Sequence, residues 1–208
     1  MEFKYTLRAT GKDFSPETLE KLNYATAKAN REKEDTGEEQ IIERSGPVIK
    51  LEPHQTILYD NQTGVSYKSL FADYLKGATE ITLQDPYIRF PYQFKNLLEF
   101  CVMLANNKDP EDEIHLEVLS WNTPDHMSDS IAYFEEFRES VSDLGIHFSF
   151  IMEDVHDRYI LADNGWKITL GRGLDIFEKN EGRFNAAELD QSRRRCKACE
   201  VTYLRMKK

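Results

Sequence analysis

The sequence predicts an α/β domain built on a mixed sheet. Strand-like runs alternate with amphipathic helical segments between residues 56 and 152, which is the order expected of strand–helix–strand units. Two apolar runs, 158–162 and 166–170, are joined by Asp163-Asn164-Gly165, and Asn-Gly between apolar runs is a strong signal for an antiparallel hairpin. Strands that alternate with helices in the first part of the domain, followed by antiparallel strands in the last part, indicate a mixed sheet flanked by helices.

Each element has a local signal. Ser66 is suited to cap a helix whose apolar residues recur at helical spacing, and Gly77 and Gly145 are suited to end helices. The predicted order is a strand at 56–59, a helix from 66 to 76, a strand at 80–84, a break at Asp85-Pro86, a helix carrying Phe94 to Leu104, a strand at 114–119, a helix at 128–144, and strands at 146–152, 158–162, 166–170 and 200–204.

The first 47 residues differ from the rest and are predicted to be a short N-terminal appendage with a charged linker. Ser15 and Pro16 mark a helix start, and the stretch from Arg31 to Gln40 is charged and lacks apolar anchors. The remaining residues, 48–208, are predicted to form the α/β domain.

Charge is distributed unevenly along the chain. The net charge is -10, which makes the protein a poor non-specific binder of nucleic acid or anionic membranes. Residues 156–208 nevertheless carry a net charge of +4, against -14 for residues 1–155. This basic segment is either solvated surface or a local anion site.

The three cysteines, Cys101, Cys196 and Cys199, are too few and odd in number for a disulfide framework. They favour a reduced, cytoplasmic location, and no apolar run is long enough to suggest a membrane span or a signal peptide. Cys196 and Cys199 form a single CxxC pair without the second ligand pair that a zinc site needs. The sequence thus predicts no metal and no cofactor.

One motif combines the residue types that handle phosphate. His156, Arg158 and Asp163 follow the pattern His-x-basic-x₄-Asp at the start of a predicted strand, where His156 and Arg158 point to the same side. A histidine supplies nucleophilic or acid chemistry, and a fixed cation binds phosphate oxygens. The alternative is structural: His156 caps the strand, while Asp163 neutralises Arg158.

Further candidates for binding an anion lie elsewhere in the chain. In Gly171-Arg172-Gly173, two glycines allow backbone N–H groups to approach an anion and Arg172 adds a charged fork. Arg89 follows a strand end, where α/β sheets place ligands. Arg195 belongs to an arginine run that is either an anion patch or a solvated turn. The alternative is that Asp163 and Asp175 balance these arginines internally.

These motifs resemble a known family. The His156 motif is similar to the phospholipase D superfamily signature, with Arg158 in place of lysine. Asp85-Pro86-Tyr87-Ile88-Arg89, Asn164-Gly165-Trp166 and Gly171-Arg172-Gly173-Leu174-Asp175 together resemble the phospholipase D-like domain found at the C-terminus of MIT-domain-containing proteins. The resemblance covers about 150 residues and implies a phospholipase D-like fold.

The resemblance also implies a function. Eukaryotic members are dimeric, bind phosphoinositide-containing membranes at their surface, and are not thought to be enzymes. Bacterial relatives, which this chain resembles more closely, are associated with Lon-like ATPase proteases and with phage defence. The expected partners are therefore a second copy of the chain, a phosphate-bearing ligand (a phospholipid headgroup or nucleic acid) and a Lon-like protease.

Two departures argue against turnover. Superfamily enzymes use two copies of the histidine motif, whereas His156 begins the one copy here. The segment 171–175 also lacks the serine and asparagine usual in the enzymes. The sequence therefore predicts a non-catalytic phosphate-binding and partner-recruiting module. The alternative is a homodimeric, metal-independent phosphodiesterase or nuclease with His156 as nucleophile and general acid.

Overall fold

The computed structural model describes residues 51–120, 127–179, 187 and 189–207. The predicted appendage and linker, residues 1–47, lie outside this part of the chain. The described elements are β1 (His54–Leu58), α1 (Tyr67–Leu75), β2 (Glu80–Gln84), α2 (Pro91–Asn107), β3 (Ile114–Ser120), α3 (Met127–Val141), β4 (Ile146–Met152), β5 (Tyr159–Ala162), β6 (Trp166–Leu170) and β7 (Cys199–Arg205).

These strands form one mixed sheet in the order β1-β7-β6-β5-β2-β3-β4. β2, β3 and β4 are parallel to one another and are joined by helices, whereas β5, β6, β7 and β1 pair antiparallel. The predicted α/β class with a mixed sheet flanked by helices is confirmed.

Local chemistry explains where the helices begin and end. The Ser66 hydroxyl accepts a hydrogen bond from the Ser69 N–H, and the Ser69 hydroxyl in turn accepts from the Ser66 N–H, which satisfies two amides at the start of α1. Beyond the C-cap of α1, Gly77 has a φ of 71°, and Gly145 has a φ of 68° after the turn that follows α3. Left-handed backbone is the usual way to end a helix, and glycine adopts it without steric cost.

The core lies between the helices and one face of the sheet. Alternate residues of the central strands are buried, including Leu83, Val118 and Ile160, and large side chains such as Phe100 and Phe134 pack from the helices. Because successive side chains of a strand point to opposite faces of the sheet, the residues between the buried ones point away from this core. Most apolar positions predicted for the helix faces of α1 and α2 are buried, among them Leu70, Phe71 and Leu97. Val102, also expected on the apolar face of α2, is instead 41% exposed.

The sheet topology brings three segments together at one end of the central strands, which is called one sheet edge below. Gln84 at the end of β2 pairs with Tyr159 at the start of β5, and Tyr159 pairs with Thr169 near the end of β6. Asp85, Arg158 and the loop beginning at Gly171 are therefore neighbours, although more than 80 residues separate the first from the last. The hairpin turn at Asn164-Gly165 lies at the opposite edge.

Candidate anion-binding site

A cavity of about 190 Å³ opens at this sheet edge. It collects side chains from the loop after β2, the first turns of α2, the start of β5 and the loop after β6. Its lining residues are Asp85, Tyr87, Ile88, Gln93, Asn96, Arg158, Arg172, Leu174 and Asp175. Its position outside the carboxyl end of a parallel strand is where open α/β sheets bind ligands.

Two arginines line the cavity without a carboxylate partner in the described part of the chain. The Arg158 guanidinium lies over the Tyr87 ring, 5.0 Å from its centroid, and makes no hydrogen bond or ion pair there. Arg172 Nε donates one long hydrogen bond, 3.4 Å, to the Ala198 carbonyl. Most of their N–H donors therefore remain available to a ligand.

Neither aspartate proposed as an internal counter-charge pairs with these arginines. Asp175 accepts from Lys197 Nζ at 2.9 Å. The Asp163 carboxylate accepts from the Thr79 hydroxyl at 2.9 Å and from the Thr79 N–H. Asp175 therefore neutralises Lys197. Neither Asp163 nor Asp175 neutralises Arg158 or Arg172, which both line the cavity.

A buried carboxylate, Asp85, also faces the cavity; in the sequence it marked a break after a strand and belonged to a motif of the family resemblance, but it was not predicted as a site residue. The residue is 4% exposed, and its carboxylate accepts hydrogen bonds from the Tyr87 N–H at 3.1 Å and the Leu174 N–H at 3.4 Å. Burial raises the pKa of Asp85 to about 6, although the two amides and Arg158 act in the opposite direction.

Gly173 makes room for this carboxylate. Its φ is 61°, and a Cβ atom built on it would lie 1.8 Å from Asp85 Oδ2. Gly173 and Gly171 do not offer free amides, because the Gly171 N–H donates to the Glu200 carbonyl at 2.9 Å and the Gly173 N–H to the Leu170 carbonyl at 3.5 Å. Their observed contribution is close packing rather than the predicted amide cradle.

The histidine motif is divided by the fold. The His156 side chain is 88% exposed, its Nε2 lies 3.7 Å from Asp154 Oδ1, and it is not part of the cavity lining. Asp163 follows the last residue of β5 and bonds to Thr79, which precedes β2, so it lies at the opposite sheet edge. Of the three motif residues, the structure places Arg158 alone in the cavity.

A comparison with known proteins identifies the domain. A sequence profile of the family described as "Phospholipase D-like domain at C-terminus of MIT" matches residues 64–205. The chain belongs to this family. MIT domain-containing protein 1 of the mouse (Mus musculus) is 38% identical over 144 residues, which is 68% of this chain and 57% of that protein. The chain thus spans a little over half the length of the curated relative it matches.

The predicted resemblance and the phospholipase D-like fold are confirmed by this match. The matched range contains the whole cavity of this phospholipase D-like domain, from Asp85 to Asp175, together with Lys197. Within the described residues, no helix is both long and apolar enough to cross a membrane.

The two remaining binding candidates differ in position. Arg89 lies beside the cavity residues Tyr87 and Ile88, and its guanidinium is 5.7 Å from the Tyr87 ring centroid. Its buried Nε atom has no hydrogen-bond partner among the residues that the structure describes. Arg195 is exposed, contributes its carbonyl to a bond from the Glu178 N–H, and is not part of the lining. Arg89 therefore borders the site of this phospholipase D-like domain, and Arg195 does not.

The rest of the arginine run and the CxxC pair have structural contacts in this phospholipase D-like domain. The side chain of Arg194 is 6% exposed and binds Glu99 through two hydrogen bonds of 2.6 and 2.8 Å.

The two cysteines of the CxxC pair are free thiols. Burial raises the pKa of the thiols of Cys196 and Cys199. In the described part of the chain, no set of three or more histidine, cysteine or acidic side chains is arranged to hold a metal ion.

Proposed function

We propose that this domain binds a phosphate-bearing ligand between Arg158 and Arg172 and does not turn it over. The observation that carries the proposal is that two guanidinium groups line one cavity and, in the described residues, neither bonds to a carboxylate. Arg158 is half-buried and Arg172 is exposed, and a cation drawn partly out of water, as Arg158 is, needs a counter-charge. An oxyanion with two or more free oxygens would supply it and would match the planar donor fork of arginine.

The local charge supports an anion even though the whole chain is acidic. In the cavity lining, Arg158 and Arg172 stand against Asp85 and Asp175. Lys197, which lies outside the lining, pairs with Asp175, so these five side chains together carry a net charge of +1 when both acids are ionised. Protonation of Asp85 would add a further positive charge. The pocket is therefore a local basic site on a chain whose net charge of -10 would repel anions elsewhere.

The size of the cavity limits the ligand. Pockets for drug-sized molecules usually measure about 300–1,000 Å³, and this cavity of about 190 Å³ is smaller. It suits one phosphate group with its substituent directed outward. A lipid headgroup and the end of a nucleic acid both present such a group.

The position of His156 is the reason for proposing binding without turnover. A nucleophile must lie within about 3–3.5 Å of the atom it attacks, whereas His156 is 88% exposed and absent from the cavity lining. Asp163, at the opposite sheet edge, does not orient it. A homodimeric phosphodiesterase remains the alternative, with His156 from two copies meeting at a two-fold axis. Its exposure would allow that approach.

Calorimetric titration with inorganic phosphate tests the proposal. Arg158→Ala and Arg172→Ala are each expected to weaken binding by about 1.5–3 kcal/mol, the range for a hydrogen bond to a charged group, while Arg138→Ala, which removes an exposed arginine on α3, should change little. The affinity should also fall with added salt. Unchanged binding in both cavity variants, with lowered stability, would mean that these arginines are structural.

Two further measurements separate the ligand sources and the alternative. Titrations with a soluble phosphoinositide headgroup and with a short oligonucleotide compare lipid with nucleic acid. Incubation with bis(p-nitrophenyl) phosphate in the absence of metal tests turnover. Nitrophenol release that is abolished by His156→Ala would establish the phosphodiesterase instead.

A further inference from the structure

We propose that Asp85 makes this pocket selective for a phosphate group that carries a hydrogen atom on one of its oxygens. Hydrogenphosphate and the singly ionised form of a phosphate monoester have such a hydrogen, whereas sulfate and the internal phosphodiesters of nucleic acids do not. The inference rests on the proposed function, since it concerns which oxyanion Arg158 and Arg172 bind.

The position of Asp85 carries the argument. The carboxylate is 4% exposed, lines the same cavity as the two arginines, and is held by the backbone N–H groups of Tyr87 and Leu174. A carboxylate offers about four acceptor sites, and these two amides occupy two of them. No side chain in the described part of the chain donates to the remaining sites.

A buried acceptor in an anion pocket discriminates between tetrahedral anions of equal charge. An ionised carboxylate repels any ligand oxygen that lacks a hydrogen, and the low local polarity strengthens this repulsion. A P–O–H group removes the repulsion because it donates a hydrogen bond to the carboxylate. The arginines would then bind the other oxygens, so that cations and carboxylate contact different parts of one phosphate.

The groups around Asp85 determine when this selectivity holds. Arg158 attracts the carboxylate, Asp175 repels it, and the uncharged phenols of Tyr67 and Tyr92 face it from α1 and α2. Because burial raises the pKa of Asp85 to about 6, the residue is ionised at pH 8 and largely protonated at pH 5. Protonated Asp85 can donate a hydrogen bond to a sulfate oxygen, so the selectivity for phosphate should disappear at pH 5.

A purely structural interpretation of Asp85 is also testable. Its carboxylate links the loop after β2 to the loop after β6 through Tyr87 and Leu174. If this were its whole contribution, Asp85→Asn would lower stability and leave the ratio of phosphate to sulfate affinity unchanged.

The experiment is a pair of calorimetric titrations at pH 8 and constant ionic strength, with sodium phosphate and sodium sulfate. Wild-type protein should bind phosphate about one to two orders of magnitude more tightly, the effect expected from leaving a buried acceptor unsatisfied. In Asp85→Asn the two affinities should converge. Asp163→Asn is the control: it removes a carboxylate at the opposite sheet edge, where Thr79 is its partner, and it should keep the wild-type ratio.

Each outcome decides between the two proposals. Equal binding of phosphate and sulfate by the wild type at pH 8, or a wild-type ratio in Asp85→Asn, would overturn the selectivity and leave the arginine site intact. Binding of neither anion would refute the arginine site and the selectivity with it. If Asp85→Asn does not fold, wild-type titrations at pH 5 and pH 8 test the same point. At pH 5 phosphate carries one negative charge and sulfate two, so with Asp85 protonated the preference for phosphate must be lost and sulfate must bind at least as tightly.

Discussion

Replacement of Gly173 with alanine is expected to lower the free energy of unfolding by about 3–5 kcal/mol. The first contribution is backbone strain, because the φ of Gly173 is 61° and an L-residue in left-handed backbone costs about 1–2 kcal/mol. The second is a collision between the new Cβ atom and Asp85 Oδ2, which would be separated by 1.8 Å. A contact shorter than 3.0 Å is essentially never tolerated, so about 1.2 Å must open between them.

That displacement has a definite cost. A shift of this size would stretch the bonds that the Asp85 carboxylate accepts from the Tyr87 N–H at 3.1 Å and the Leu174 N–H at 3.4 Å. Hydrogen bonds to a charged group contribute about 1.5–3 kcal/mol each, and the greater exposure of the displaced carboxylate returns part of this loss. The collision should therefore add about 2–3 kcal/mol to the strain.

Urea unfolding at pH 7 measures both contributions separately. Gly77→Ala is the matched control, since its φ is 71° and a Cβ atom there would meet nothing within 4 Å; it should cost the strain alone, about 1–2 kcal/mol. In an Asp85→Ala background, Gly173→Ala should cost no more than Gly77→Ala, which gives a coupling of about 2–3 kcal/mol in a double-mutant cycle. Equal losses for Gly173→Ala and Gly77→Ala in the wild-type background would refute the packing of Gly173 against Asp85.

Two further predictions concern stability. Arg194→Ala removes one partner of a buried ion pair with Glu99 and should lower the free energy of unfolding by about 3–5 kcal/mol, whereas Arg193→Ala, whose own pair is exposed, should cost far less. Comparable losses in the two variants would contradict the burial of this pair. The pKa of Asp85 is raised in the folded state to about 6 from its ordinary value of 3.8, so its contribution to stability is complete only below that ordinary value and is lost as the pH rises through 6. Relative to wild type, Asp85→Asn should gain about 2.5 kcal/mol of stability between pH 4 and pH 7, and a pH-independent difference in urea unfolding would contradict the raised pKa.

Most of the fold could be predicted because its signals are local. The predicted bounds of β2, β4 and β6 agree with the structure, since apolar residues recur along each strand, and glycine or proline lies near both ends of β2 and β6 and directly before β4. β1 begins at His54 rather than at residue 56, because its first residues pair with Tyr203 and Thr202 of β7. A partner almost 150 residues away leaves no local signal in the sequence.

The candidate site was only partly predictable. Arg158 and Arg172, two of the predicted binding residues, line one cavity because Arg158 precedes β5 and Arg172 follows β6, and these two strands pair antiparallel. Asp163 was grouped with them by motif spacing, although the strand between Arg158 and Asp163 rises about 3.3 Å per residue and carries it away from the cavity. Asp85 was missed as a site residue because its burial depends on a close approach of Gly173 that no local pattern reveals.

The position of a bound oxyanion is the most direct test of the proposed anion site between Arg158 and Arg172. Arsenate resembles phosphate in shape, retains one hydrogen at pH 8 and gives an anomalous X-ray signal, so crystals of the protein grown with arsenate would locate the anion without ambiguity. We expect an arsenic peak in the cavity at the end of β2, with the arsenate oxygens within about 3 Å of the guanidinium nitrogens of Arg158 and Arg172. An arsenic peak beside the exposed His156, with the cavity free of arsenate, would contradict the proposed site.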